Sequence, residues 1–182
     1  MDNGESSYRR YLQGDEDAFD DIVKIYFDPL VFFVERYVHD HAIAEDLAID
    51  VFAEIMVHKT RYDFRVSLKT YIFMIGRSRA LTYVKRHKVG RALSFEVISP
   101  LLVDIHESEL LLKKERDAIL HEAINQLPED MRVSLYLVYF EGLSYEEAAR
   151  IMRRNKKQVD NLLYRAKQQL RQNLNAEEML KL

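Results

Sequence analysis

Gly142-Leu143-Ser144-Tyr145-Glu146-Glu147-Ala148-Ala149-Arg150-Ile151-Met152-Arg153-Arg154-Asn155-Lys156-Lys157-Gln158-Val159 reads as two short helices around a tight turn. Ser144 and Glu147 have the S-x-x-E spacing in which each side chain satisfies the other's free backbone amide, so a helix starts at Ser144. It stops soon, because Arg153-Arg154-Asn155 breaks the apolar spacing of Ala148, Ala149, Ile151 and Met152, and Asn155 is a good N-cap for a second helix. In that second helix Val159, Leu163, Ala166 and Leu170 recur on one side as a buried stripe. Lys157, Gln158, Asn161, Arg165 and Gln168 then face out and offer donors suited to phosphates and to base edges in a major groove. Helix pairs with short turns also occur in many proteins that never touch DNA, so this spacing alone leaves both readings open.

The 182 residues are 48% hydrophobic with 5 Gly, 3 Pro and no Cys, a composition that can bury a core, favours helix and excludes a disulfide framework. Met1-Asp2-Asn3-Gly4-Glu5 lacks the basic-then-apolar order of a signal peptide, and the apolar runs, such as Leu30 to Val34, are too short to cross a bilayer. A soluble cytoplasmic protein without membrane insertion is the expectation.

The formal net charge of -3 conceals alternation along the chain. Counted by segment, Met1 to Glu54 carries -10, Ile55 to Ala92 +9, Leu93 to Asp130 -6 and Met131 to Leu182 +4. Two basic segments can neutralise phosphates, whereas the acidic ones suit a basic protein partner; charge blocks that merely solvate helices are the plainer alternative. The apolar periodicity predicts a first helical domain with helices near Asp15 to Tyr26, Pro29 to Val38, Ala42 to Lys59 and Ser67 to Arg86. The pattern fails from Lys88 to about Ser108, as in a connecting segment. A helix from Glu109 to Leu127 and another from Pro128 to Glu141, stopped by Gly142, lead into the helix pair. The fold expected is all-α: a domain at 1–90, a linker at 91–110 and a helix-turn-helix domain at 111–182.

Three stretches resemble the extracytoplasmic-function group of bacterial RNA polymerase sigma factors. Ala44-Glu45-Asp46-Leu47-Ala48-Ile49-Asp50-Val51-Phe52 is similar to the family's D-A-E-D-L-x-Q-E-x-F. Tyr71 to Arg86 is similar to its W-L-x-x-I-A-R-N-x-A-L-D-Y-L-R-R, and Leu127 through Lys167 to its second DNA-binding domain. The resemblance implies that Glu45, Asp46, Leu47, Asp50, Val51 and Phe52 form the surface for core polymerase. By spacing, Glu45, Asp46 and Asp50 also make an acidic face bordered by Leu47 and Val51.

The segment Arg61 to Lys69 mixes cations with rings, a combination that can hold an unstacked base. The family captures a flipped base of the downstream promoter element (the −10 box) in the corresponding loop, which makes Tyr62, Phe64, Arg65 and Ser67 candidates. Any single ring here reads more readily as core than as base platform. Arg77, Ser78, Arg79, Thr82, Lys85 and Arg86 extend this −10 surface along the next helix. For the upstream element (the −35 box) the candidates are Asn155, Lys156, Lys157, Gln158, Asn161 and Arg165.

The chain departs from the family at Ile49, Tyr71, Ser78, Thr82 and Leu162, and has Arg153-Arg154 where a Gly-Ile pair is common. Clamp binding is expected to survive these changes, while the promoter sequences read are expected to be its own. His39, His41, His58, His87, His106 and His121 have no cysteine partners and no metal spacing, so neither a cofactor nor catalysis is expected. The partners implied are core RNA polymerase, promoter DNA and an anti-sigma factor. The rival reading is a helix-turn-helix regulator that binds DNA without joining polymerase.

Overall fold

Asp40 illustrates how local chemistry sets the element boundaries: its carboxylate accepts the Ile43 amide at 3.1 Å, and a 17-residue helix begins at His41. The computed structural model describes residues 4–87, 120 and 122–180, with side chains as far as 174. Four helices build the N-terminal part: α1 (Glu5–Leu12), α2 (Asp17–Val38), α3 (His41–Val57) and α4 (Leu68–His87), with a short 3-10 turn at Lys59–Arg61 after α3. The C-terminal part contains α5 (Glu129–Leu135), which runs on as a π-turn over Tyr136–Phe140, then α6 (Tyr145–Met152) and α7 (Lys156–Leu180). Among the described residues there is no strand.

Two expectations are corrected. Pro29 does not separate two helices; it lies inside the 22-residue α2. A proline has no amide to donate to the carbonyl one turn back, that of Ile25, and Ile25 is a 40% exposed residue. The helix survives because Leu30, Val31, Phe33, Val34 and Tyr37 beyond the proline are buried on the same face as Ala18, Phe19, Ile22 and Tyr26 before it. The second correction is α1, absent from the periodicity reading: it is short, but it buries Tyr8 and Tyr11 edge-on to each other.

The remaining expectations fall within or beside observed helices. Gly142 ends the π-turn at φ 65°, a conformation glycine adopts without steric cost. The linker at 91–110 and the first part of the helix from Glu109 lie outside the described residues; at its far end 122–125 are helical. No described helix is long and apolar enough to cross a membrane.

In the N-terminal core, α2 packs against α1, α3 and α4, and α4 meets α2 most closely at Gly76. A Cβ there would lie 2.6 Å from Leu30 Cδ1, so glycine is what lets the helices approach. In the C-terminal core, α7 packs on α5 and α6 through Val159, Leu163 and Ala166, all buried. The two parts also touch: α6 lies against α4, and α5 against α2.

Candidate polymerase and promoter surfaces

Helix α3 sorts the six residues expected to meet polymerase into two groups. Glu45, Asp46 and Asp50 are exposed and Leu47 is half-buried, so a partner can reach them. Val51 is corrected: at 0% exposure it is core, while Phe52, 5% exposed and edge-on to Phe19 at 6.3 Å, also lines the groove beside Ile49. Their contribution is to fix the face that carries the carboxylates. Ile49, 56% exposed, continues that face into an open groove of ≈ 420 Å³ walled by Phe19, Val23, Phe27 and Met56, with Glu16 and Asp20 at its edge. The groove was missed in the sequence because its walls come from separate helices.

The loop before α4 also divides. Tyr62 is corrected as a base platform: it is 3% exposed, edge-on to Tyr8 at 5.1 Å and stacked on Tyr71 at 5.0 Å. Its hydroxyl donates to the Val66 carbonyl at 2.8 Å, and burial pushes that hydroxyl well above the ordinary tyrosine range. Phe64 is half-buried, holds a left-handed φ of 61° and carries the Arg9 guanidinium 4.0 Å over its ring. Arg65 is open, its side chain 87% accessible, with Asp63 3.2 Å away. Ser67 caps α4 by accepting the Thr70 amide at 3.3 Å.

Along α4 the candidates again differ. Ser78, Arg79, Thr82, Lys85 and Arg86 are exposed. The Arg79 guanidinium grips Glu54 of α3 at 2.6 and 3.1 Å, and the Thr82 hydroxyl donates to the Ser78 carbonyl at 2.8 Å. Arg77 is half-buried, hydrogen-bonded to Tyr37, with its Nε buried and unpartnered.

The helix-turn-helix forms as its capping chemistry dictates. Ser144 and Glu147 make the reciprocal capping box at 3.2 and 2.9 Å. The turn puts Arg153 in the left-handed region at φ 53°, and Arg154 ion-pairs with Asp130 of α5. Asn155 and Gln158 form a second reciprocal pair, in which the Asn155 side chain accepts the Gln158 amide at 2.8 Å and the Gln158 side chain accepts the Asn155 amide at 2.9 Å. Both side chains are therefore partly committed to starting α7. Lys156 pairs with Glu146 at 2.6 Å, which raises the lysine and lowers the glutamate from their ordinary values. Lys157, Asn161 and Arg165 are exposed on the same helix.

Contacts that motif reading did not anticipate join the two domains. Glu147 does more than cap its own helix, since its Oε1 lies 2.9 Å from Ser67 Oγ and 3.3 Å from Thr70 Oγ1. Burial, the largest single influence on Glu147, raises its pKa; the bonds from Ser144, Ser67 and Thr70 together outweigh it and hold the carboxyl below its ordinary value. Lys69 pairs with Glu141 Oε2 at 2.6 Å and donates to the Glu141 carbonyl at 2.8 Å. Tyr136 stacks against Phe33 at 6.3 Å, lies 3.8 Å beneath the Arg36 guanidinium and donates its hydroxyl to the Pro29 carbonyl at 3.1 Å. No local motif announces partners so far apart in sequence.

Comparison with known proteins identifies the family. The family models for Sigma-70 region 2 and Sigma-70 region 4 match residues 22–89 and 117–170. The chain is 32% identical to the RNA polymerase sigma-H factor of Pseudomonas aeruginosa, with 87% of each chain covered. It is 28% identical to the ECF RNA polymerase sigma factor SigM of Bacillus subtilis, covering 85% of this chain and 93% of that one. In fold it is similar to the sigma factor RpoE solved with the anti-sigma factor NepR from Bartonella quintana, at a TM-score of 0.68 and 21% identity over 86% of this chain and 96% of that one. It is likewise similar to CnrH solved with the cytosolic domain of CnrY, at 0.67 and 18% over 96% and 99%. A regulator acting apart from polymerase would account for the helix-turn-helix alone, and the paired matches to regions 2 and 4 favour a sigma factor instead. The chain belongs to the extracytoplasmic-function group of sigma-70 RNA polymerase sigma factors, and as such directs promoter-specific initiation of transcription.

Proposed function

We propose that the N-terminal domain, 1–90, docks on core RNA polymerase through Glu45, Asp46, Leu47, Ile49 and Asp50 of α3. The carboxylates meet a basic partner surface while Leu47 and Ile49 supply apolar contact, a combination that sets both orientation and encounter rate. The same domain reads and opens the −10 element with Phe64, Arg65 and Ser67, assisted by Ser78, Thr82, Lys85 and Arg86. The C-terminal domain, 111–182, reads the −35 element in duplex DNA with Lys156, Lys157, Asn161 and Arg165 from the first turns of α7. The polymerase performs the chemistry; this chain contributes recruitment and recognition, without catalysis of its own or a cofactor, in the cytoplasm. An anti-sigma partner that covers these surfaces completes the reading, supported by the fold neighbour solved with an anti-sigma factor.

The observation that carries it is the separation of charge onto exposed faces: carboxylates on α3, cations on α4 and on the start of α7. Run-off transcription with purified core polymerase and a promoter library is the test. Reversing charge with Asp46→Lys and Asp50→Lys cuts polymerase association by at least about tenfold, since each reversal turns attraction into repulsion at the contact. The C-terminal domain's duplex affinity stays unchanged in that variant, and an undiminished association overturns the assignment.

A further inference from the structure

Two neighbouring arginines of α1 are spent differently. Arg10 is tied down by carboxylates, Asp21 at 2.8 Å and Asp15 at 3.3 Å. Arg9 is exposed, yet its guanidinium crosses to the loop before α4 and lies 4.0 Å over the ring of Phe64. That face of the ring is thereby closed to a base. Tyr8 stands edge-on to the same ring at 6.1 Å, and Tyr62 tilts against it at 4.5 Å.

The loop is built to hold Phe64 in this place. The Asp63 carboxylate accepts the Arg65 amide at 3.1 Å and closes a turn in which Phe64 takes a left-handed φ of 61°. A bulky residue at positive φ is strained, and such strain persists where the surroundings over-determine it, as they do at binding sites. Here the surroundings include Tyr8, whose hydroxyl is fixed on the Lys59 carbonyl at 2.8 Å, and Tyr62, whose hydroxyl is fixed on the Val66 carbonyl at 2.8 Å. Phe64 is thus a firm floor, and a planar cation rests on it with its opposite face turned away from the ring. A guanidinium is flat, delocalised and weakly hydrated, so it can lie on a ring with one face and on a nucleobase with the other. Its N–H groups stay at the edge of the plane, available to a phosphate or a base edge. A floor that restrains the side chain before a base arrives lowers the ordering cost of binding.

We propose that Arg9 is the surface on which the captured −10 base stacks, with Phe64 as its backing, so that α1 adds a base-binding residue to the promoter site. This rests on the reading of the loop before α4 as the −10 site. Phe64 is then a positioning residue that acts through Arg9, and Arg65, beside it, is left to meet phosphate.

The test uses the chain assembled with core polymerase. The probe is a fluorescent single-stranded oligonucleotide carrying the −10 element selected from the promoter library, intact and with an abasic site at each position in turn. Arg9→Ala is expected to weaken binding of the intact strand about tenfold, as the loss of one base stack does. At one position the abasic site costs as much as Arg9→Ala, and the two together cost no more than either alone, because both remove the same contact. Arg9→Lys keeps a cation over Phe64 but loses the plane, so it leaves binding weak and shows the same dependence on that one position. It also carries the test should Arg9→Ala disturb α1, which circular dichroism on the same samples detects. Three results overturn the proposal: undiminished binding by Arg9→Ala, losses that add at every position, or full binding by Arg9→Lys. The second marks Arg9 as a phosphate contact and the third as a prop for the loop. Failure of the unaltered assembly to bind any of the strands instead removes the −10 reading on which the proposal rests.

Discussion

Tyr62 and Arg65 stand three residues apart in one loop and do opposite work. The ring of Tyr62 is enclosed by Tyr8 and Tyr71 and its hydroxyl is spent on Val66, whereas Arg65 is open to solvent. Tyr62→Phe keeps the ring and loses one partly buried hydrogen bond, so it lowers unfolding stability by about 1 kcal/mol and leaves single-strand binding unchanged. Arg65→Ala leaves stability unchanged and weakens binding of the same oligonucleotide, with a shallower salt dependence because one phosphate-neutralising charge is gone. Thermal unfolding and salt-titrated anisotropy on the two variants check both expectations. The mixture of cations and rings was legible in the sequence, but the sorting was not. A ring becomes core or platform according to what packs beside it, and here Tyr8 comes from more than fifty residues away.

Helices were legible where their signals are local. The capping box of α6 and the apolar stripe of α7 follow from residues within two turns of each other. Across α2, tertiary packing overrode the proline signal, and α4 shows why a helix's neighbour cannot be read from its own sequence: Gly76 is defined by Leu30 of another element. Gly76→Val drives a branched side chain into Leu30 and Val34 and should destabilise the N-terminal domain by about 1–3 kcal/mol, measured by chemical denaturation. On α7 the expectation concerns DNA alone. Lys157→Ala and Arg165→Ala each weaken duplex binding across sequences and reduce the slope of log affinity against log salt by about 1. Asn161→Ala, if Asn161 meets a base edge, changes the preferred −35 sequence and leaves that slope intact. Promoter-library selection with the variant separates the two behaviours.

For the molecule as a whole, charge alternation foretold two kinds of surface, but the seam between the domains depends on pairs such as Ser67 with Glu147 that no periodicity connects. Its dependence on pH is set by the groups present. Glu147 is held below its ordinary value of 4.5 while docked, and on separation it loses the bonds to Ser67 and Thr70 although Ser144 stays with it. The Ser67 and Thr70 bonds favour the charged carboxylate and exist only in the docked form, so they support the seam while Glu147 is ionised and that support is lost as it takes up a proton. On the α4 side the charged group at the seam is Lys69, paired with Glu141 at 2.6 Å. The separation of the two domains, read from fluorophores at Lys24→Cys and Arg171→Cys in a chain with no native cysteine, should therefore be constant around neutral pH and lengthen on acidification, as pH falls through the depressed value of Glu147. Glu147→Gln keeps a residue competent for the capping box, because glutamine fills that position as well as glutamate, but it has no charge to lose. In that variant the separation at neutral pH is longer than in the unaltered chain and its change on acidification is smaller. Far-ultraviolet circular dichroism recorded on the same samples distinguishes opening from unfolding: helicity that is retained while the separation grows supports the seam as the titrating element. Lengthening that occurs only together with helix loss refutes it.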